Sequence, residues 1–360
     1  MARGHLVVAS IGVLALSMSC SLVTSLDGLA GPPTGSDEAG AADALAPDGP
    51  ASLLDAASTK PRAWRKVPVS GPPALHSARM VFDEARGKAV LFGGGNSATR
   101  NDTWEWDGSA WSLAVVTARP SARQSPGLAY DSARHVIRLF AGSNGTDDPW
   151  EWDGGPAWRS SGSSASTPDI RYSTVMTYDR ARDVLVLFGG LHAGPTDTDN
   201  PETWEWSAAG GFVKRTPALS PPPRHANVLV YDAARSRVVV FGGSDGSSRN
   251  DTWEWDGTGW AERTPPLSPP ARRAACAAYD SVRKVTVVFG GRPEGTTSAL
   301  DDTWEWDGKT WQRGAMGPPG RSSCAMAFDS TRNAVVMFGG SPRRRGKEPP
   351  DVLDDTWVYE

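Results

Sequence analysis

The chain has 360 residues, with 37 lysines and arginines against 41 aspartates and glutamates, and a formal net charge of -4. That balance gives no general basic field for nucleic-acid phosphates, so nucleic acid is not an expected partner. Glycine (39) and proline (29) are abundant, yet from residue 61 onward they recur at fixed offsets, which is turn chemistry in a folded array and not disorder.

The amino terminus carries Arg3, a mostly apolar run of 13 residues from Leu6 to Met18, and small residues before Cys20. Such a segment is an export signal, and its apolar run is short for spanning a bilayer. Leu16-Ser17-Met18-Ser19-Cys20 resembles the lipobox of bacterial lipoproteins, although the leucine stands one position farther from the cysteine than in that family. The resemblance implies cleavage before Cys20 and lipidation of that residue, with ordinary secretion as the alternative. Residues 21–60 are mainly Ala, Gly, Pro, Ser and Asp. They cannot bury enough apolar surface to offset their ordering entropy, and are expected to form a disordered tether. The expected location is the bacterial envelope, with membrane contact through the lipid alone.

A unit of roughly fifty residues then recurs six times. The aromatic of its Phe-Gly-Gly step falls at 92, 140, 188, 241, 289 and 338, a period that marks repeat architecture. In the fourth copy, Ala226–Tyr231 reads as a strand, Asp232 to Arg235 as a turn, and Val238–Phe241 as a strand buried on both faces. Gly242-Gly243 opens a loop; Thr252–Trp255 is a third strand; Asp256-Gly257 is a hairpin turn; Trp260 begins a fourth. Four antiparallel strands per unit make a propeller blade. All 16 tryptophans fall inside the units, which points to packing between blades more than to sugar stacking.

The paired glycines, the tryptophan of the third strand and a further aromatic about six residues later resemble the kelch repeat, over residues 61–360. The resemblance implies an all-β, six-bladed kelch-like β-propeller. The second copy departs from the pattern, with Ala141-Gly142 and with Pro149 in place of threonine. The sixth copy reaches Glu360 after its third strand, while Ala63-Trp64-Arg65-Lys66-Val67 matches a fourth strand without a blade. The amino-terminal strand is therefore expected to complete the last blade and close the ring.

Two cysteines remain, Cys276 and Cys324, one residue out of step relative to Asp280 and Asp329. That offset turns their side chains to opposite faces of their strands, so small buried core residues are expected in preference to a disulfide.

Antiparallel order puts the Asp-x-x-Arg turns on one rim and the loops after Gly-Gly, with the blade-to-blade connections, on the other. Those loops vary, spanning 7, 5, 11, 7, 10 and 14 residues before the next acid, and variable loops on a rigid scaffold are where recognition sits. The candidate binding residues there are Arg123, Arg171, Arg224, Arg272 and Arg321, each eight residues before the Asp that ends a first strand. A ring of guanidinium groups would grip an anionic or sugar ligand. The competing reading pairs each arginine with Glu105, Glu151, Glu205, Glu254 or Glu305. Asp147, Asp148, Asp197, Asp199, Asp301, Asp302, Asp354 and Asp355 enrich the same rim in acid, and Arg343-Arg344-Arg345-Gly346-Lys347 lies in the longest loop.

No metal-ligand spacing, nucleophile elbow or paired-histidine helix motif is visible, so no metal, cofactor or catalytic residue is expected. The expected activity is that of a monomeric binding or scaffold module for protein or polysaccharide. The kelch resemblance supplies the alternative, a carbohydrate-active enzyme such as a sugar mutarotase or epimerase at the channel mouth.

Overall fold

The computed structural model describes residues 62–143, 149–162, 167–169, 171–192, 198–342 and 351–360. The export signal, Cys20, the tether, Asp147, Asp148, Asp197 and the Arg343–Lys347 stretch lie outside the described residues. Among those described, regular structure consists of strands alone. They form six four-stranded antiparallel sheets, numbered one to six by the inner strand here called the first of each sheet (Arg79–Asp83, Gly127–Asp131, Val175–Asp179, Val228–Asp232, Cys276–Asp280 and Ala325–Asp329), and one small three-stranded sheet (Arg171–Tyr172, Leu191–His192, Thr198–Asp199).

Sheet four shows why the unit folds as it does. Its second strand, Arg237–Phe241, carries four successive apolar residues that are buried on both faces. Its third strand, Thr252–Trp255, is wholly buried, and its fourth, Trp260–Arg263, keeps only Trp260 inside. The first strand, Val228–Asp232, lines the axis and lies beside the first strands of sheets three and five. The same neighbour relation runs from sheet one to sheet six, and the first strand of sheet six lies against that of sheet one. In sheet six, Trp64–Val67 occupies the fourth position, antiparallel to Thr356–Tyr359, with Trp64 opposite Tyr359.

Three repeated contacts join each sheet to the next. First, the backbone N–H after the opening glycine (Ala141 in sheet two) donates to a carbonyl of the following sheet: Gly94 to Arg123, Gly142 to Arg171, Gly190 to Arg224, Gly243 to Arg272, Gly291 to Arg321 and Gly340 to Leu75, at 2.8–3.1 Å. The last of these runs from sheet six to sheet one. The approach is close enough that a Cβ on Gly242, whose φ is +64°, would lie 2.7 Å from the Arg272 carbonyl oxygen. Glycine is required there for both reasons.

Second, the aromatic of each Phe-Gly-Gly step packs on the fourth-strand aromatic of the next sheet. The pairs are Phe92–Trp158, Phe140–Phe212, Phe188–Trp260, Phe241–Trp311, Phe289–Trp64 and Phe338–Trp111, with centroids 4.8–5.4 Å apart. Third, five of these aromatics are tryptophans whose Nε1–H donates back to a threonine hydroxyl of the preceding sheet, at 2.8–2.9 Å: Trp158 to Thr103, Trp260 to Thr203, Trp311 to Thr252, Trp64 to Thr303 and Trp111 to Thr356. The sixth aromatic is Phe212, which has no N–H, and the position that would hold its acceptor is Pro149. The proline that breaks the repeat thus stands where the neighbouring sheet has nothing to donate.

The cysteines overturn the sequence expectation. Cys276 and Cys324 form a disulfide, with Cα atoms 5.7 Å apart. Opposite faces of their own strands are the faces that meet when sheet five packs on sheet six, so the one-residue offset joins the two thiols where it was read as separating them.

Candidate functional site

The variable-loop rim is built on the residues just before each first strand. Ser77, Ser125, Ser173, Ala226, Ala274 and Ser323 hold equivalent places, and all six have left-handed backbone, φ 48–59°. For residues with a Cβ this conformation costs roughly 1–2 kcal/mol each. Five backbone hydrogen bonds between sheets link them in series: Ser125 N–H to Ser77 O, Ser77 to Ser323, Ser323 to Ala274, Ala274 to Ala226 and Ala226 to Ser173, at 2.7–3.2 Å. The six residues frame a cavity of about 270 Å³ at the channel mouth. Strained backbone held rigid in this way is a common property of binding sites.

The five arginines singled out by the sequence flank this ring but do not open into it. Arg123, Arg171, Arg224, Arg272 and Arg321 are all buried. Arg224 makes a two-pronged pair with Asp251 (2.7 and 2.7 Å), Arg272 with Asp302 (2.6 and 2.8 Å) and Arg321 with Asp355 (2.5 and 3.1 Å). Arg171 donates to Glu202 at 2.9 Å, and Arg123 to the Ala141 carbonyl at 2.9 Å. Burial opposes ionisation of Asp251, Asp302 and Asp355, but the facing guanidinium outweighs it and holds each carboxyl below its usual range. These carboxylates also accept from tryptophans 253, 304 and 357. The arginines therefore fasten the long loops to the sheets.

Their partners are not the glutamates that the sequence reading paired with them. Glu105, Glu205, Glu254 and Glu305 sit toward the opposite rim, bound by the turn arginines Arg86, Arg182, Arg235 and Arg283. Three of them accept as well from the sheet that follows: Glu205 from Trp255, Glu254 from Trp306 and Glu305 from the Tyr359 hydroxyl, at 2.9–3.0 Å. A period of fifty residues places one acid per strand but does not say to which end of the strand its partner comes.

What the mouth does expose is different. Its wall carries Arg79, Arg273, Arg292, His225, Tyr172 and several serines. Arg79 opens the first strand of sheet one, where the other sheets have Gly127, Val175, Val228, Cys276 and Ala325. It reaches across the channel, donating from Nε to the Pro126 carbonyl (3.1 Å) and from Nη2 to the Thr174 carbonyl (3.1 Å). Burial alone pulls its pKa down to about 10. It also borders a second cavity of about 240 Å³ on the far side, so its guanidinium divides the channel. The sequence signal for it was a charge at a position that is small or apolar in every other copy. His225 is half-buried at the mouth, its Nδ1 2.6 Å from Asp199 Oδ1. Burial lowers the pKa of its counterpart in sheet one, His76, whose Nδ1 lies 3.0 Å from the Ser77 hydroxyl.

Small four-stranded antiparallel sheets packed face to face around an axial channel define a β-propeller. The solved structure of YjhT, a kelch-like β-propeller protein, is similar to this chain, with a TM-score of 0.60 and 14% identity over 81% of this chain and 96% of YjhT. No family model and no curated protein matches the sequence. At that identity the likeness carries the fold and nothing about activity.

Proposed function

We propose that the chain is a six-bladed kelch-like propeller closed by its Trp64–Val67 strand, exported and tethered through Cys20, and that it works as a non-catalytic binding module at the bacterial envelope. Its ligand is protein or polysaccharide, met at the variable-loop rim. The observation that carries this reading is the mouth itself, where six left-handed residues tied by backbone hydrogen bonds surround a 270 Å³ cavity beneath loops of unequal length. A rigid frame under variable loops separates recognition from stability. The Cys276–Cys324 disulfide supports export, since such bonds persist in oxidising compartments.

The test is a glycan and envelope-protein binding screen with the purified full chain. It is repeated after residues 292–301 are replaced by the shorter loop 244–250. The expected result is a ligand whose binding is lost on loop exchange while the urea midpoint holds. A screen without ligands, or a ligand indifferent to the exchange, rejects the rim.

One observation favours a second reading. The His225–Asp199 pair at the mouth is the kind of oriented imidazole that a sugar mutarotase or epimerase uses for proton transfer. Turnover of a reducing sugar that is abolished in His225→Gln would establish the enzyme.

A further inference from the structure

We propose that the channel mouth holds an oxyanion, the carboxylate, sulfate or phosphate of a small polar ligand, on the guanidinium of Arg79. This rests on the reading of the variable-loop rim as the binding face and names the chemistry it selects.

Four of the five buried arginines around the mouth follow a rule, Arg123 being the one described on a backbone carbonyl. Arg171, Arg224, Arg272 and Arg321 each face a carboxylate within 3 Å. Arg79 breaks it. Among the described residues it has no ion pair, and its two hydrogen bonds go to backbone carbonyls. A guanidinium has five N–H donors, so three, both on Nη1 among them, are left beyond its two hydrogen bonds, on a side chain that lines the cavity. The two carbonyls fix the plane of the group, which is the preorganisation that two-pronged oxyanion recognition needs.

The surroundings match. Among the described residues the cavity wall contains Arg79, Arg273, Arg292 and His225 and neither aspartate nor glutamate. Two acids lie just outside it and offset part of that charge: Glu294 is 3.3 Å from Arg273, and Asp199 holds His225. Neither reaches Arg79. Hydroxyls of Ser77, Ser125, Ser173, Ser322 and Ser323 line the same space and suit the polar body of a ligand. The cavity of about 270 Å³ is many times the roughly 10–15 Å³ that one water needs on the same measure, which leaves room for a small polar ligand. Burial without a counter-charge also depresses the Arg79 pKa, a cost that a bound anion relieves.

The experiment is calorimetric titration of the purified full chain with acetate, sulfate, phosphate and glucuronate at constant ionic strength, with glucose as the neutral control. At least one anion is expected to bind saturably and glucose not at all; the order among the anions tells an inorganic ion from a sugar acid. Arg79→Met should weaken binding at least tenfold, while Arg65→Met on the outer edge should leave it unchanged. Because Arg79→Met also removes two hydrogen bonds, Ser125→Asp is the second variant. Aspartate tolerates the left-handed backbone at this position, and its carboxylate occupies the guanidinium from within. Ser125→Asp should therefore abolish anion binding while the thermal midpoint is held or raised. Saturable binding that survives in a folded Arg79→Met or Ser125→Asp overturns the proposal, as does a wild-type chain that binds none of the four anions. A ligand from the screen that binds Arg79→Met as tightly as wild type overturns it too, yet leaves the rim standing; a ligand unaffected by loop exchange removes the rim instead.

Discussion

The tryptophan–threonine contact between sheets is open to a quantitative test at Trp260 and Thr203. The indole N–H donates to a hydroxyl at 2.8 Å, and both residues are almost fully buried. Trp260→Phe removes the donor and leaves a small void against Phe188, whose ring centroid lies 5.1 Å away. An orphaned buried partner costs about 1–3 kcal/mol, and the void adds about 1 kcal/mol at ~24 cal/mol per Å³. Thr203→Val keeps the shape, removes the acceptor and should cost about 1–3 kcal/mol. The double variant loses the bond from both sides, as Phe212 and Pro149 do naturally, and should be more stable than the two single losses together imply, by about 1 kcal/mol. Urea denaturation followed by tryptophan fluorescence measures all four corners of the cycle. Strict additivity, or single variants within 0.5 kcal/mol of wild type, would refute the reasoning.

Three further outcomes are expected. Trp64→Ala removes the stack on Tyr359 (5.0 Å), the contact with Phe289 and the bond to Thr303. Because Trp64 is only partly buried, it should cost about 2–3 kcal/mol, below the range for a fully buried tryptophan; an unchanged urea midpoint removes the amino-terminal strand from the fold's energetics. The Cys276–Cys324 bond closes a segment with a sequence separation of 48, for which chain entropy gives about 4 kcal/mol. Cys276→Ala with Cys324→Ala should lower stability by up to that amount, and free thiols in the oxidised native protein would contradict the bond. Asp251, Asp302 and Asp355 have folded pKa values below their unfolded ones. Their contribution is therefore complete above the unfolded value of about 4 and is lost as pH falls through the folded values. Acid titration of the urea midpoint should show that loss, with a flatter acid limb in Asp302→Asn; stability that rises on acidification below pH 4 contradicts it.

Much of the fold was legible because each unit is one hydrophobic pattern written six times: an all-apolar second strand, paired glycines, and tryptophans two apart. What a single strand could not reveal was which face meets which neighbour. Cys276 and Cys324 were read as pointing apart because the offset was judged within one sheet, whereas the faces that meet belong to two. The arginine column was found correctly as a repeated feature, but its partners were assigned to the wrong acids, since spacing gives strand position and not rim. Pro149 departs from the repeat for a reason the unit alone does not show: the aromatic of the next sheet at that position is Phe212, which has no N–H to donate. Arg79 was missed for the opposite reason. A repeat pattern highlights residues that recur, and Arg79 stands in the one copy that departs.

The claim on which the rest depends is that Trp64–Val67 closes the ring of sheets. Ala63 and Glu360 already exchange both backbone hydrogen bonds, Ala63 N–H to Glu360 O at 2.9 Å and Glu360 N–H to Ala63 O at 3.2 Å. Antiparallel alternation then assigns bonded amides to Arg65 and Val67 and leaves those of Trp64 and Lys66 facing outward at the edge. Residue-resolved amide hydrogen exchange reads this directly. Closure requires slow exchange at Ala63, Arg65 and Val67 with fast exchange at Trp64 and Lys66; uniformly fast exchange across residues 63–67 would contradict it.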